Sequence, residues 1–502
     1  MAKRAKSIKG SGIVLDQNAA LPLYRQLYER LRAKILAGQL EAGARLPSTR
    51  TLASQLGVSR NTTALAYEQL LLEGYIESRV GDGTRVALLQ AEKLFSPGEE
   101  AKAKNAELAA GEKAMLAQRY QALIGAIDPN EFETTHPGTR TNLFRTGQPD
   151  VTNFPYETWA RLVAKHARHT LQTFSFYQDI QGYFPLREAI AAHIGITRGV
   201  HCSPEQIIMT SGSQGALDLI ARVLLNPGDP VWVEDPGYWG ARGALLAAEA
   251  RPIAVPVDNE GIEVKIGQML CPNAHLAIVT PSHQFPSGVT MSLDRRLTLL
   301  KWAREARAWI VEDDYDSEFR FSGRPLEALQ GLDSAGRVLY IGTFSKVLFP
   351  ALRLGYLVAP PELLKGFLAA RYFIDVHLPL LEQMALADFM IEGHFVRYLR
   401  KMRQQYLERR DALVEALVRG MGASVDITIP EAGMHLVVWL PQDVSAQAVM
   451  HKAKARRIYI VPVSQFSTRA LPRDGLLLGF ASSSPLELRS GVQTLVELIR
   501  ED

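Results

Sequence analysis

The sequence predicts an α/β protein of two folded parts joined by a charged connector: a small three-helix unit closed by a β-hairpin, then a large unit built on apolar strands that end in polar residues. Three observations carry this expectation. Residues 21–86 combine helical periodicity, a Gly57-Val58-Ser59 turn between two short helices, and a hairpin pattern around Gly81-Asp82-Gly83. Apolar runs at 207–210, 231–233, 276–279 and 338–341 read as buried strands, each soon followed by small, hydroxylated or charged side chains. Between the two parts, residues 89–142 mix Glu and Lys with alanine and show too little apolar surface at one spacing to found a core.

At 502 residues the chain is long for one domain, and 47% hydrophobic with 22% charged residues is the composition of a soluble globular protein. It holds no apolar run long enough to span a membrane, and its basic N-terminus lacks the apolar core of a secretory signal. Two cysteines, Cys202 and Cys271, make neither a disulfide framework nor a zinc site, so no metal is expected and a reducing cytoplasm is. The net charge of +3 is unevenly spread. Residues 1–86 carry thirteen Lys/Arg against seven Asp/Glu, a local +6, which leaves the remainder at −3. A basic first domain on a mildly acidic body is the distribution of a nucleic-acid-binding module attached to something else.

In the first domain, 1–88, Leu23, Leu27, Leu31 and Ile35 share one helical face, with Pro22 suited to the first turn and Gly38 to the stop. Ser48 caps a second helix ended by Gly57, and Ser59 caps a third that runs to about 73. With the hairpin, this is a winged helix-turn-helix. Ser59, Arg60, Asn61, Thr62 and Thr63 stand at the start of the third helix, where arginine and asparagine have the donors to read base edges in a major groove. Arg50 and the wing residue Arg85 are expected near phosphates or the minor groove. The segments Leu46-Pro47-Ser48-Thr49-Arg50 and Val58-Ser59-Arg60-Asn61-Thr62-Thr63 resemble the DNA-binding domain of GntR-type bacterial repressors. The linker, 89–142, is expected to be a semi-flexible tether, with part of 99–127 helical by propensity.

In the large domain, 143–502, the strand at 338–341 leads through Gly342-Thr343-Phe344-Ser345 to Lys346, then to an apolar patch with one cation, Arg353. A lysine among apolar neighbours loses solvation, which lowers its pKa and frees a neutral amine to attack a carbonyl. The hydroxyls of Thr343 and Ser345 and the guanidinium of Arg353 are groups that a phosphate needs nearby. A second strand, Val311-Glu312-Asp313-Asp314-Tyr315, ends in carboxylates and a phenol. Together these stretches resemble the pyridoxal 5′-phosphate (PLP) site of fold-type I aminotransferases. The resemblance implies that Lys346 is the Schiff-base lysine, Arg353 a phosphate ligand, Asp313 the partner of the pyridinium nitrogen and Tyr315 that of the ring hydroxyl. A buried carboxylate keeps the ring nitrogen protonated, the state in which the cofactor is an electron sink.

The resemblance runs from Phe144 to the end of the chain, opening with Phe144-Arg145-Thr146-Gly147-Gln148-Pro149-Asp150. Tyr177 is the candidate for the tyrosine that, in this family, reaches the phosphate in a partner subunit's site, which implies a homodimer. Ser211-Gly212-Ser213-Gln214-Gly215 joins a strand to a helix, so backbone N–H groups there can cradle a phosphate, with Ser213 and Gln214 as candidate ligands. By resemblance, Tyr238 stacks on the pyridine ring. Two positions depart from the family. Phe285 replaces the asparagine that bonds the ring oxygen, leaving His283 or Gln284 to substitute. Leu477 stands where the arginine for the substrate carboxylate belongs, leaving Arg242 and Arg469 as candidate effector ligands. The arginines at 397–410 are expected on a solvated or interdomain helix face.

A winged helix fused to an aminotransferase-like body is similar to the MocR subfamily of GntR-type transcription regulators. That resemblance implies double-stranded operator DNA and a small amine or amino-acid effector, or PLP itself, as partners. The alternative is a working aminotransferase with a DNA-binding appendage, and the changes at Phe285 and Leu477 favour the regulator.

Overall fold

The computed structural model describes residues 13, 15, 16, 19, 21–79, 83–87, 116–126, 143–168, 175–321, 326–422 and 425–501. The chain divides into two compact units, Met1–Met115 and Leu116–Asp502. The hairpin tip at 81–82, the expected boundaries at 88 and 142, and most of the expected tether lie outside the described residues.

In the first unit, α1 (Leu23–Leu36), α2 (Thr49–Leu56) and α3 (Arg60–Leu72) precede an antiparallel pair, β1 (Ile76–Arg79) and β2 (Gly83–Val86). Leu27, Leu31 and Ile35 of α1 pack with Leu52, Ala66, Leu70, Ile76 and Val86 in one apolar core. Ser48 and Ser59 cap α2 and α3 by accepting the N–H of Thr51 and Thr62, contacts worth about 1 kcal/mol each. Gly57 ends α2 at φ +66°, a left-handed turn that glycine adopts without strain.

The second unit is built on an eight-stranded sheet: β3 (Ile207–Thr210), β4 (Pro230–Asp235), β5 (Arg251–Asp258), β6 (Gly261–Ile262), β7 (Leu276–Val279), β8 (Trp309–Asp314), β9 (Val338–Thr343) and β10 (Gly355–Val358). Their order is β3-β10-β9-β8-β7-β4-β5-β6, with β5, β4, β7, β8 and β9 parallel and β10 antiparallel to both its neighbours. Helices cover both faces, so β3, β7 and β9 are buried along their whole length and read as continuous apolar runs. Because β3, β4, β7, β8 and β9 point the same way, the segments that follow them leave from one edge of the sheet, where open α/β sheets bind ligands.

A second, antiparallel sheet of order β11-β12-β14-β13 follows: β11 (Asp426–Thr428), β12 (His435–Trp439), β13 (Val461–Pro462) and β14 (Gly475–Gly479). The long His394–Met421 helix shares one core with this sheet and with the Pro485–Arg500 helix. Its cations work within the unit: Arg409 pairs with Asp150 at 2.7 Å, Arg410 donates to the Pro430 carbonyl at 3.0 Å, and Lys401 donates to Asn153 at 2.8 Å. Within the expected tether, the Gln118–Ala126 helix belongs to the large unit: Arg119 pairs with Glu249 at 3.3 Å, and Leu123 lies against Gly243 of the Trp239–Ala247 helix.

Candidate functional site

Lys346 follows β9, and its Nζ donates to the Gly147 carbonyl at 2.9 Å. Gly147 holds φ +63°, which favours glycine, and a Cβ there would lie 2.8 Å from that nitrogen, which would have to shift. Burial lowers the Lys346 pKa; Arg353 and Arg145 push the same way, while Asp316 and Asp313 oppose them. On the neighbouring strand, burial pushes the Asp313 carboxyl up to about 7, helped by Asp314, Asp316 and Glu234. The nearby Ser213 hydroxyl pulls it down, yet Asp313 Oδ1, Ser213 Oγ and Ser345 Oγ are buried without a well-formed hydrogen bond. Such atoms cost free energy unless something pairs with them, which marks a site for a polar ligand.

The phosphate side is formed by β3, the Ser213–Leu224 helix and the turn after β9. Gly212 is the helix N-cap at φ +86°, and a Cβ there would lie 3.6 Å from the Arg353 guanidinium. Arg353 is exposed and donates to the Ser211 carbonyl at 2.7 Å. Thr343 Oγ1 accepts the Ser345 N–H at 3.2 Å, which shapes the turn. Gln214, expected as a phosphate ligand, is spent otherwise: its Nε2 donates to Gly240 O at 2.9 Å and its Oε1 accepts the Tyr238 hydroxyl at 3.3 Å. It therefore orients Tyr238, whose own pKa burial pushes up to about 12.

Two residues were open as substitutes for the missing asparagine. The Gln284 amide is committed to its own turn, with Nε2 on Pro236 O and Phe285 O and Oε1 on Ser287. His283 instead joins the site, its Nδ1 lying 3.0 Å from Asp316 and 3.1 Å from the Tyr315 hydroxyl. Tyr315 also donates to the His283 carbonyl at 3.0 Å. His283, Asp316 and His435 are all buried, with ligand atoms within 4.8 Å of one another. Sequence reasoning missed Asp316, because only the tertiary fold sets it beside His283.

Phe285 presents an apolar edge where the amide would stand, meeting Tyr238, Tyr315 and Phe466 edge-on at 6.0, 6.2 and 4.9 Å. Leu477 on β14 is fully buried in an apolar cluster with Val437 and Val463, against which Phe285 packs. Arg469 donates to Ala254 O and lies 3.7 Å from Asp235, and Arg242 is exposed on the Trp239–Ala247 helix. Tyr177 is 84% exposed, and its ring meets His377 at 6.1 Å.

In the first unit, Arg50, Ser59, Arg60 and Asn61 are exposed at the starts of α2 and α3. Thr63 is a correction: it is fully buried, and its hydroxyl donates to Thr49 O and Arg60 O, both at 2.9 Å. It ties α2 to α3 and cannot reach a base. Thr62 is half-buried and shares its hydroxyl with Ser59 at 2.8 Å, within the cap. Arg85 donates to the Gly43 carbonyl at 3.0 Å, so part of its guanidinium braces the wing. Arg45 was missed. It is exposed, and a Cβ on Gly83 would lie 3.2 Å from its guanidinium, which puts the cation at the wing.

Comparison with known proteins agrees with both halves. The family model for aminotransferase class I and II matches residues 143–494, and that for bacterial regulatory proteins of the gntR family matches residues 23–86. The chain is 41% identical over 483 residues to the probable rhizopine catabolism regulatory protein MocR of Rhizobium meliloti, covering 96% of this chain and 95% of that one. The chain belongs to the MocR subfamily of GntR-type transcription regulators. A second member, the HTH-type transcriptional regulator TauR of Rhodobacter capsulatus, is 31% identical over 95% of this chain and 96% of its own length. Among solved structures, a kynurenine aminotransferase from Pyrococcus horikoshii superposes with a TM-score of 0.67 at 30% identity, covering 82% of this chain and 98% of its own. In this chain a GntR DNA-binding domain is fused to a fold-type I aminotransferase domain. Among the described residues no helix is long and apolar enough to cross a membrane.

Proposed function

We propose that this regulator binds PLP at Lys346 and reads an amine-bearing effector there, changing its hold on operator DNA. One observation carries the reading: a lysine of lowered pKa, a carboxyl held near 7 and two unpartnered serine hydroxyls converge at the strand ends of an aminotransferase domain. Bound there, the cofactor supplies an aldehyde that condenses with amines and a ring that withdraws electrons. Lys346 offers Nζ, its hold on a proton weakened by burial, and Gly147 orients it. Asp313 holds the proton of the ring nitrogen. Ser213, Ser345 and Arg353 hold the phosphate, with the Ser213–Leu224 helix N-terminus behind them. Tyr238, oriented by Gln214, covers the ring. Tyr315, held by His283 and Asp316, bonds the ring oxygen. Tyr177, exposed in one protomer, completes the partner's site in a homodimer.

The apolar wall of Phe285 and Leu477 favours sensing over turnover, because neither position offers the polar side chain that the resembling transaminases carry there. Arg60 and Asn61 read base edges, while Arg50 and Arg45 lie along phosphates. Domain bounds of 1–88, 89–142 and 143–502 fit this division of labour. The test has two arms. Borohydride reduction and peptide mapping should place the label on Lys346; a label elsewhere removes the assignment. Binding to an operator selected from random duplexes should change about 5–150-fold, a coupling of about 1–3 kcal/mol, when an amine that shifts the visible spectrum is added. A spectral shift without a change in operator affinity, footprint or bending returns the aminotransferase reading.

A further inference from the structure

Resting on that reading, we propose that Arg145 receives the carboxylate of the effector, so that the ligand class is amino acids rather than plain amines. The Phe144–Gly147 segment lies between β14 and Lys346. Phe144 O accepts the N–H of Gly479, and Gly147 O accepts Nζ of Lys346. Along β14, side chains alternate between faces, so Gly479 shares its face with Leu477 two residues before it. A Cβ on Gly479 would lie 2.1 Å from the Arg145 carbonyl, so the chain at Arg145 crosses the very face on which the family's arginine would stand.

Among the described residues Arg145 has no carboxylate or hydrogen-bond acceptor for its half-buried guanidinium; it stacks over the Tyr459 ring at 5.0 Å. Its charge is felt at Lys346, where it helps to lower the proton affinity of Nζ. A guanidinium kept from other anions, braced by an aromatic face and carried on the segment that also meets Lys346 Nζ is suited to a bidentate carboxylate. The other arginines considered are less available. Arg469 is engaged with Asp235 and the Ala254 carbonyl, and Arg242 is exposed on its helix.

The test uses the full-length, cofactor-loaded protein and matched pairs: glycine and methylamine, L-alanine and ethylamine, L-phenylalanine and phenethylamine. Dissociation constants are read from the visible spectrum and by calorimetry. Wild type should favour the acid in at least one pair by tenfold or more. Arg145→Gln should weaken that acid about 10–100-fold more than its amine, which feels only the lost charge near Lys346, and Arg145→Lys should recover part of the loss. The spectrum before addition should keep its visible band in both variants, which separates a lost ligand from a lost fold. Equal binding of acid and amine in every pair, or Arg145→Gln with wild-type acid affinity, overturns the assignment. Wild-type protein that holds no cofactor overturns the reading beneath it, and the assignment with it.

Discussion

Asp313→Asn offers a sharp test of the site, because its effect on the cofactor-free protein can be worked from the structure. The folded carboxyl sits near 7 against an ordinary 3.8, chiefly through burial. An acid whose folded pKa is raised binds more protons folded than unfolded. Stability is therefore full below about pH 4 and lost as the pH rises toward 7. From pH 5 to pH 8 about two units of that window are crossed, at 1.36 kcal/mol each, so Asp313 should remove about 3 kcal/mol. Asparagine has no proton to lose, and the cost of fitting its amide is the same at every pH. Glu234, pushed up to about 7 by its own burial, is present in both proteins, and its repulsion with Asp313 is part of the difference read. All six tryptophans, Trp159 to Trp439, lie in the large unit, so urea unfolding followed by their fluorescence reports on that unit alone. Cofactor-free wild type should lose about 3 kcal/mol more than Asp313→Asn between pH 5 and 8. With PLP bound, the ring nitrogen's proton keeps Asp313 ionised and the difference should shrink. Parallel pH curves for the two cofactor-free proteins would refute the buried, unpartnered carboxyl.

Lys346→Ala should lack the visible band yet keep DNA binding that weakens steeply with salt, measured by fluorescence anisotropy, since counterion release belongs to the first unit. Arg60→Ala and Asn61→Ala should each cost about 1–3 kcal/mol of operator affinity and relax base preference. Thr63→Val should cost about 1–2 kcal/mol of stability in the first unit, read by its unfolding, and leave base preference intact, because its hydroxyl serves α2 and α3. Leu477→Arg places a charge in a fully apolar cluster and should destabilise the large unit by about 3–5 kcal/mol in the same fluorescence assay.

Much of this was legible because local signals agreed with the fold. The serine caps, Gly57 and the apolar spacing of α1 lie in short stretches of sequence, and β9 and β8 announced themselves as apolar runs ending in Lys346 and Asp313. What escaped depends on contacts between distant segments. Thr63 looks like its exposed neighbours until α2 packs over it. Gln214 stands at the right helix start but turns to Tyr238, 24 residues away. Asp316 meets His283 across 33 residues, and Arg145 gains meaning only when the chain around it crosses β14. The Gln118–Ala126 helix falls in the tract expected to be partly helical, but with no single apolar face its packing on the large unit did not show.

The shared cluster of Phe285 and Leu477 has a historical consequence. Arginine at 477 would enter a wall that the benzyl ring of Phe285 helps to close, and asparagine at 285 would open a gap in that wall and face it with an amide. Either reversion alone is penalised by the presence of the other change, so the two positions are epistatic. The single changes that separate the two pairs are the same in either direction, so each path between them crosses a less stable intermediate. The packing thus acts as a barrier between the two pockets, slowing exchange between them whatever the selection on the signal.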